Sequence, residues 1–438
     1  MSGNRNTDTS FNNLGTNTNF WSSSIFGGNA FISASLRGSP EKFNFMKQPP
    51  KLLVDLFKAY YNARKNKRKS PDCLAFEINY EKNLFQLYRE IINKQYKISS
   101  SLCFISFSPV KREIFAGNFR DRIVHHLIYG YLSPFFEKLF IYDDYSCRLE
   151  KGVSLGIKRL DHFICACSKN YSQDCYTLKL DVKGYFMSID RKILFNKVEK
   201  TVNHFEKELT VDKNLLLYLI HLIVFHSPTQ FCHIRGKKED WCGLPKSKSL
   251  FFAKEGKGLP IGNLTSQLFG NVYLNDFDHF VKNKLQCKYY GRYVDDMVFV
   301  HQDKEYLKSL IQQVSNYLEK ELELEVHPKK IYLQSFTKGI SFLGVVTKPY
   351  RTYAGQRSKR SFYKQIIKWN EIIEKQEGLI TKDQLKIFLS SMNSYLGYFY
   401  QRSAYKLCDK MIKRVLSSYF GNFICITKGY KKAIQKTS

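Results

Sequence analysis

Two β-prone stretches end on acids, and they limit what this chain can fold into more than any other feature. Tyr176-Thr177-Leu178-Lys179-Leu180-Asp181 alternates and stops on a carboxylate, with Val182-Lys183-Gly184-Tyr185-Phe186 behind it. In the second stretch, Tyr289 to Tyr293 and Met297 to Val300 flank Val294-Asp295-Asp296. Apolar, β-prone flanks around a short polar break predict a hairpin with two acids at its tip. An Asp pair in a turn is ordinary by itself, because Asp tolerates turn geometry. Here the flanks are apolar, so the acids should be partly desolvated, and adjacent like charges resist ionising unless a cation compensates them.

Asp181 lies 295 − 181 = 114 residues before Asp295. If their strands are neighbours, three carboxylates converge on one point. Mg²⁺ suits such a cluster, since it takes oxygen ligands and accepts a few carboxylates plus substrate phosphates. Two ions about 4 Å apart would activate an attacking hydroxyl and steady a leaving phosphate oxygen. That is phosphoryl-transfer chemistry.

Between the acids runs Gly258-Leu259-Pro260-Ile261-Gly262-Asn263-Leu264-Thr265-Ser266-Gln267. Its glycines allow close backbone approach, and Thr265 or Ser266 is expected to cap a following helix with Phe269, Val272, Tyr273, Phe277 and Phe280 on one face. A glycine turn before a capped helix is common. Lying between the carboxylate segments, it becomes a floor for a nucleotide or template base.

Composition narrows the partners. The chain has 438 residues, 69 Lys+Arg against 39 Asp+Glu and a net charge of +30, which favours polyanions. With 43% hydrophobic and 15% aromatic residues it can build a core and is not disordered throughout. The longest apolar run, Leu215 to Phe225, contains His221 and falls short of the roughly 18–20 residues of a membrane span. No secretion signal is visible, and eleven cysteines without a regular framework suit a reducing cytosol. Cys165 and Cys167, and Cys232, His233 and Cys242, lack zinc-site spacing. Basic clusters at Arg64, Lys65, Lys67, Arg68 and Lys69, and at Lys111, Arg112, Arg120 and Arg122, are candidate phosphate contacts, although such runs are commonly solvated faces. Leu385, Leu389, Met392, Leu396 and Phe399 predict a helix, preceded by Arg357, Lys359, Arg360, Lys364 and Lys368.

Taken together, Leu180-Asp181 with Phe186, the glycine loop and Tyr293-Val294-Asp295-Asp296 resemble the palm of reverse transcriptases. Phe107 to His126 and Asp144-Tyr145-Ser146-Cys147-Arg148 resemble the fingers blocks, His327-Pro328-Lys329-Lys330 the lysine motif, and Phe342-Leu343-Gly344 the primer grip. The resemblance runs from about Phe43 to near Phe420. It implies an α+β right-hand polymerase with an antiparallel palm sheet: fingers over 46–175, palm over 176–350, and a helical thumb with a basic tail over 351–438. It also implies site roles. Asp181, Asp295, Asp296 and the Val182 carbonyl would hold two Mg²⁺ ions, with Mn²⁺ able to substitute. Lys330, or its neighbour Lys329, would be the proton donor facing pyrophosphate; the alternative for both is a solvated turn. Lys111, Arg112, Phe186, Gly258, Pro260, Ile261, Gly262 and Gln267 would surround the dNTP, Phe186 clashing with a ribose 2′-OH. Arg64, Lys65, Lys67, Arg68, Arg120 and Arg148 would meet template. His125 and His126 are read as structural or phosphate-facing.

Many relatives carry Gln at the third position of this loop and end the motif in Ser-Pro. Here it reads Leu259-Pro260-Ile261-Gly262 and ends in Ser266-Gln267. That departure, with the insertion Trp241 to Lys257, resembles reverse transcriptases of diversity-generating retroelements, which copy template RNA into cDNA with errors at adenines. The resemblance implies template RNA, primer or cDNA strand and dNTPs as partners, a small basic accessory protein oligomer, no membrane, and the cytoplasm of a bacterium, the gene being bacterial or phage-borne. Residues 1–45, rich in Asn, Ser, Thr and Gly, would be a flexible tail; their similarity to the C-terminal strands of lectin-like target domains reads as a template repeat translated in frame, with Met46 as the start. The alternatives are a retron-like or phage-defence reverse transcriptase, and, from another class, a catalytically silent RNA-binding scaffold.

Overall fold

The computed structural model describes residues 50–65, 67–108, 110–402 and 404–436. The expectations for residues 1–45 and for Met46 lie outside the described residues. The chain divides into two compact units, one made of residues up to Val153 with 179–298 and 308–331, the other of 154–178, 299–307 and 332–438.

In the first unit, helix Lys51–Arg64 buries Leu53, Leu56, Phe57 and Tyr60, while Leu52, which shares their helical spacing, is half-buried. It packs on helix Phe119–Leu139, whose Asn118 side chain accepts the Arg120 N–H as a cap. Strands β1 (Ser101–Ser106) and β2 (Arg112–Ala116) pair antiparallel. Strand β3 (Tyr176–Asp181) ends on the first acid, and β4 (Cys232–Ile234) adds to β1 in parallel. Strands β5 (Tyr289–Tyr293) and β6 (Asp296–His301) are joined by the two-residue turn Val294–Asp295. Met297, Val298, Phe299 and Val300 are all buried, the unbroken apolar run of a central strand.

The second unit contains β7 (Tyr332–Ser335). It also has the antiparallel meander β8 (Ile340–Phe342), β9 (Val345–Lys348) and β10 (Arg351–Ala354). Helices Gln356–Lys375 and Lys382–Tyr400 then enclose a core of Phe362, Ile366, Trp369, Phe388, Met392, Leu396 and Phe399. Thr381 and Gln384 form a capping box at the start of the second helix. A short pair, β11 (Ile424–Ile426) and β12 (Ala433–Gln435), closes the unit.

The helix after the glycine loop spans Leu264–His279 and differs from expectation at both ends. Asn263, rather than Thr265 or Ser266, occupies the cap, and its side chain is turned to accept the Gly117 N–H instead of capping. Thr265 lies inside the helix, its hydroxyl 2.7 Å from His125 Nδ1. Phe280 falls in a π-helical turn, Phe280–Lys284, beyond the helix proper.

Candidate active site

The first unit brings the end of β3 and the β5–β6 turn together. Asp181 and Asp296 take up strand ends, and Asp295 sits in the turn between. Burial pushes the Asp295 carboxyl up to about 7, with repulsion from Asp181 and Asp296 adding to it and Lys330 opposing it. Asp296 is also raised by burial and by Asp181, against the pull of Lys179. Two lysines hold the outer acids: Lys330 Nζ donates to both Asp181 oxygens, at 2.7 and 2.8 Å, and Lys179 Nζ lies 3.2 Å from Asp296. Lys330 is carried there by the turn Pro328–Lys330, which is fixed because His327 N–H donates to the Asp181 carbonyl at 2.8 Å. Val182 continues this contact as a β-bridge to Val326.

The donor chemistry fits divalent cations. Three carboxylates that repel one another in a partly buried site need positive charge, and two ammonium groups supply it here. Among the described residues no three His, Cys, Asp or Glu side chains have metal-holding geometry, so a cation would need these lysines to yield the carboxylate oxygens.

The turn itself is strained. Val294 has φ of 57°, a conformation that a β-branched residue rarely adopts. It is held by Ser146 Oγ, which accepts the Val294 N–H at 3.1 Å, and by Arg292 Nη1, which donates to the Val294 carbonyl at 2.9 Å. Arg292 is wholly buried, paired to Asp278 at 2.7 Å and to Asp144 at 3.2 Å. Asn271 donates to the Ser146 carbonyl at 2.6 Å, and Tyr290 donates to Asp278 at 2.7 Å. None of Arg292, Asp278 or Asn271 was singled out from sequence. The available signal was an arginine inside an apolar strand, since a buried charge requires partners.

The nucleotide-facing candidates lie on β2, on the segment after β3, and on the glycine loop and its helix. Phe115 N–H donates to the Ile261 carbonyl at 2.8 Å, tying the glycine loop to β2, and Leu259 N–H donates to the Phe186 carbonyl at 2.8 Å. Gly262 has φ of 137°, and a Cβ there would meet the Phe115 carbonyl oxygen at 2.6 Å, so glycine is required for this approach. Gly258 and Pro260 are buried, Gln267 is half-buried on the helix, and Ile261 packs on Cys103, Phe115, Met187 and Leu250. Arg112 is exposed at the start of β2, whereas Lys111 donates to the Cys242 carbonyl at 2.5 Å. Glu113, also missed from sequence, is buried and accepts from Trp241 Nε1 at 2.7 Å, Ser249 Oγ at 2.8 Å and Leu250 N–H at 2.6 Å. It pins the Trp241–Lys257 insertion against β2.

The template-facing candidates are dispersed. Arg64 pairs with Glu77, Arg120 with Glu90, and Arg148 is buried against Glu137 and the Ile141 and Asp144 carbonyls. Lys65 donates to Asn62 at 3.1 Å, Lys67 is half-buried with its ammonium pK lowered by burial, and Arg68 is exposed. Phe342, Leu343 and Gly344 lie in the second unit at the β8–β9 turn, where Leu343 has φ of 48° and Gly344 of 80°.

A family profile described as reverse transcriptase (RNA-dependent DNA polymerase) matches residues 111–347, more than half the chain. The chain belongs to the reverse transcriptases. The matched span of this reverse transcriptase contains all three acids, the glycine loop and Lys330. No curated protein matches the sequence. Its fold is similar to that of a solved Candida tropicalis telomerase truncated from its C-terminal domain, with 14% identity and a TM-score of 0.42, over 61% of this chain and 59% of that one. Candida albicans telomerase in complex with a TWJ fragment of telomeric RNA gives 12% identity and a TM-score of 0.42, over 76% and 61% of the two chains. The chain thus spans about three fifths of the telomerase chains it matches. Among the described residues no helix is long and apolar enough to cross a membrane.

Proposed function

We propose that this reverse transcriptase makes DNA on an RNA template by phosphoryl transfer, and that it does so with adenine-directed errors in a diversity-generating retroelement. The polymerase reading rests on one observation: Asp181, Asp295 and Asp296 repel one another in a partly buried site where Lys330 pairs with Asp181 and Lys179 with Asp296. Asp181, Asp295, Asp296 and the Val182 carbonyl would hold two Mg²⁺ ions. Bound there, the ions would activate the primer hydroxyl and steady the leaving oxygen. Lys330 has its ammonium within hydrogen-bond reach of Asp181, a position from which it can donate a proton toward departing pyrophosphate. Phe186 would bar a ribose 2′-OH, and Arg112 would hold the triphosphate.

The mutagenic reading rests on Ile261. A polar residue at this point could orient the nucleotide by a hydrogen bond; an isoleucine cannot, and discrimination of roughly 1 kcal/mol would go with it. The partners would be template RNA, a primer or cDNA strand, dNTPs and a small basic accessory protein oligomer, in a bacterial or phage setting. Copying a defined RNA and sequencing the cDNA tests the reading. Substitutions concentrated opposite template adenines support it, and an even, low error spectrum overturns the mutagenic part while leaving the polymerase part standing.

A further inference from the structure

The second unit carries a cleft of about 370 Å³ that nothing in the polymerase site uses, lined by Phe399, Tyr400, Ala404, Tyr405, Cys408, Gly429 and Tyr430. That volume lies in the range of ligand pockets, about 300–1,000 Å³. Its floor is apolar, with Phe399 and Cys408 buried. Its walls are tyrosines. Tyr400 and Tyr405 are 49% and 57% exposed, although aromatic rings of this size gain by burial. Tyr405 and Tyr430 meet edge to face, with centroids 5.1 Å apart, leaving ring faces open to a planar guest. Tyr430 is held in place by donating to Asp409 at 2.5 Å. Gly429, with φ of 78°, would place a Cβ with no atom within 4 Å, so that side of the cleft is open.

The segment that builds most of the cleft is strongly basic. Between 404 and 436 there are eight Lys or Arg residues and a single acid, Asp409, which Lys413 pairs at 2.8 Å. Lys431 already lies over the Tyr400 ring, 5.0 Å from its centroid. Open aromatic faces bordered by ammonium groups match one ligand chemistry well: a base to stack and a phosphate backbone to neutralise. A neutral apolar peptide would leave the lysines unanswered, and an acidic peptide would leave the ring faces unstacked.

We infer that this tyrosine cleft binds an unpaired nucleotide of single-stranded RNA, holding the strand at a point separate from the site of synthesis. The choice of RNA rests on the reverse-transcriptase reading; the stacking site itself does not. A duplex cannot use the cleft, because its bases are already stacked and only an unstacked base presents its face.

The test is photo-cross-linking of the full chain, without dNTPs, to a 12-nucleotide RNA carrying one 4-thiouridine, with the modified peptides mapped by mass spectrometry. Cross-links on peptides containing Tyr405 or Tyr430 are expected. Tyr405→Ala should reduce them about tenfold or more, while Tyr405→Trp retains them. Both substitutions fall on an exposed residue, and Lys431→Ala gives an independent, weaker loss. Cross-links that avoid these peptides overturn the inference. So does an equal yield with the RNA annealed to its complement, whereas an equal yield with the same sequence as DNA carrying 4-thiothymidine overturns the choice of RNA. Because no synthesis is measured, failure of polymerisation and failure of the cleft are read separately.

Discussion

At the residue scale, the chemistry turns on how few charges the site leaves unbalanced. Asp295 is pushed to about 7 chiefly by burial, with Asp181 and Asp296 adding to it, so a nearby cation would favour its charged form. Ile261 is the residue that separates accuracy from turnover. It packs beside Phe115 and Met187, and its backbone carbonyl rather than its side chain ties the loop to β2. Ile261→Gln should therefore keep the loop and the acids in place, leave correct incorporation within about threefold, and reduce misincorporation opposite adenine by roughly fivefold, the worth of about one hydrogen bond. Sequencing cDNA from both proteins on the same RNA checks this, and identical error spectra would contradict it.

At the scale of elements, the β5–β6 hairpin is a strained turn resting on a buried ionic base. Val294 could not hold a φ of 57° unless Ser146 and Arg292 secured its two backbone groups. Replacing Arg292 by Met leaves Asp278 and Asp144 facing each other without their shared cation. The expected cost is about 3–5 kcal/mol, read from urea unfolding. Arg292→Met combined with Asp278→Asn should recover part of it, and a double variant no more stable than the single would contradict this account of the network. Much of this hairpin was legible beforehand, because alternation that breaks at an acid is a local pattern. Its base was not. Asp144, Asn271, Asp278 and Arg292 are brought together by tertiary packing, and no spacing along the chain encodes that meeting. The helix start departs from expectation for a similar reason: Asn263 occupies the cap position but its side chain reaches Gly117, 146 residues away, while Thr265 lies inside the helix against His125.

At the scale of the whole molecule, the apolar spacing of several helices is readable in sequence, whereas the partners of basic residues are not. Arg64, Arg120 and Arg148 look alike as charges in the sequence, yet each pairs with a half-buried acid, Glu77, Glu90 and Glu137, that no spacing along the chain announces. Stability should also respond to pH through His125, which joins helix Phe119–Leu139 to helix Leu264–His279. Burial lowers its pK from 6.5 to about 3. Between those values the unfolded chain binds a proton that the folded chain does not, so this contribution is full above pH 6.5 and is lost as the pH falls toward 3. His126, lowered to about 4, acts in the same sense. His125→Asn should therefore shrink the difference in unfolding free energy between pH 7 and pH 4.5 without abolishing it; an unchanged difference would contradict the assignment.

The central claim is that Asp181, Asp295 and Asp296 form a phosphoryl-transfer centre. Extension of a DNA primer on an RNA template with dNTPs and Mg²⁺, compared between the natural protein and Asp295→Asn with RNA affinity measured alongside, tests it most directly. The account predicts Mg²⁺-dependent extension that falls at least about a thousandfold in the variant, whose RNA affinity is retained. Equal extension by both proteins would contradict it.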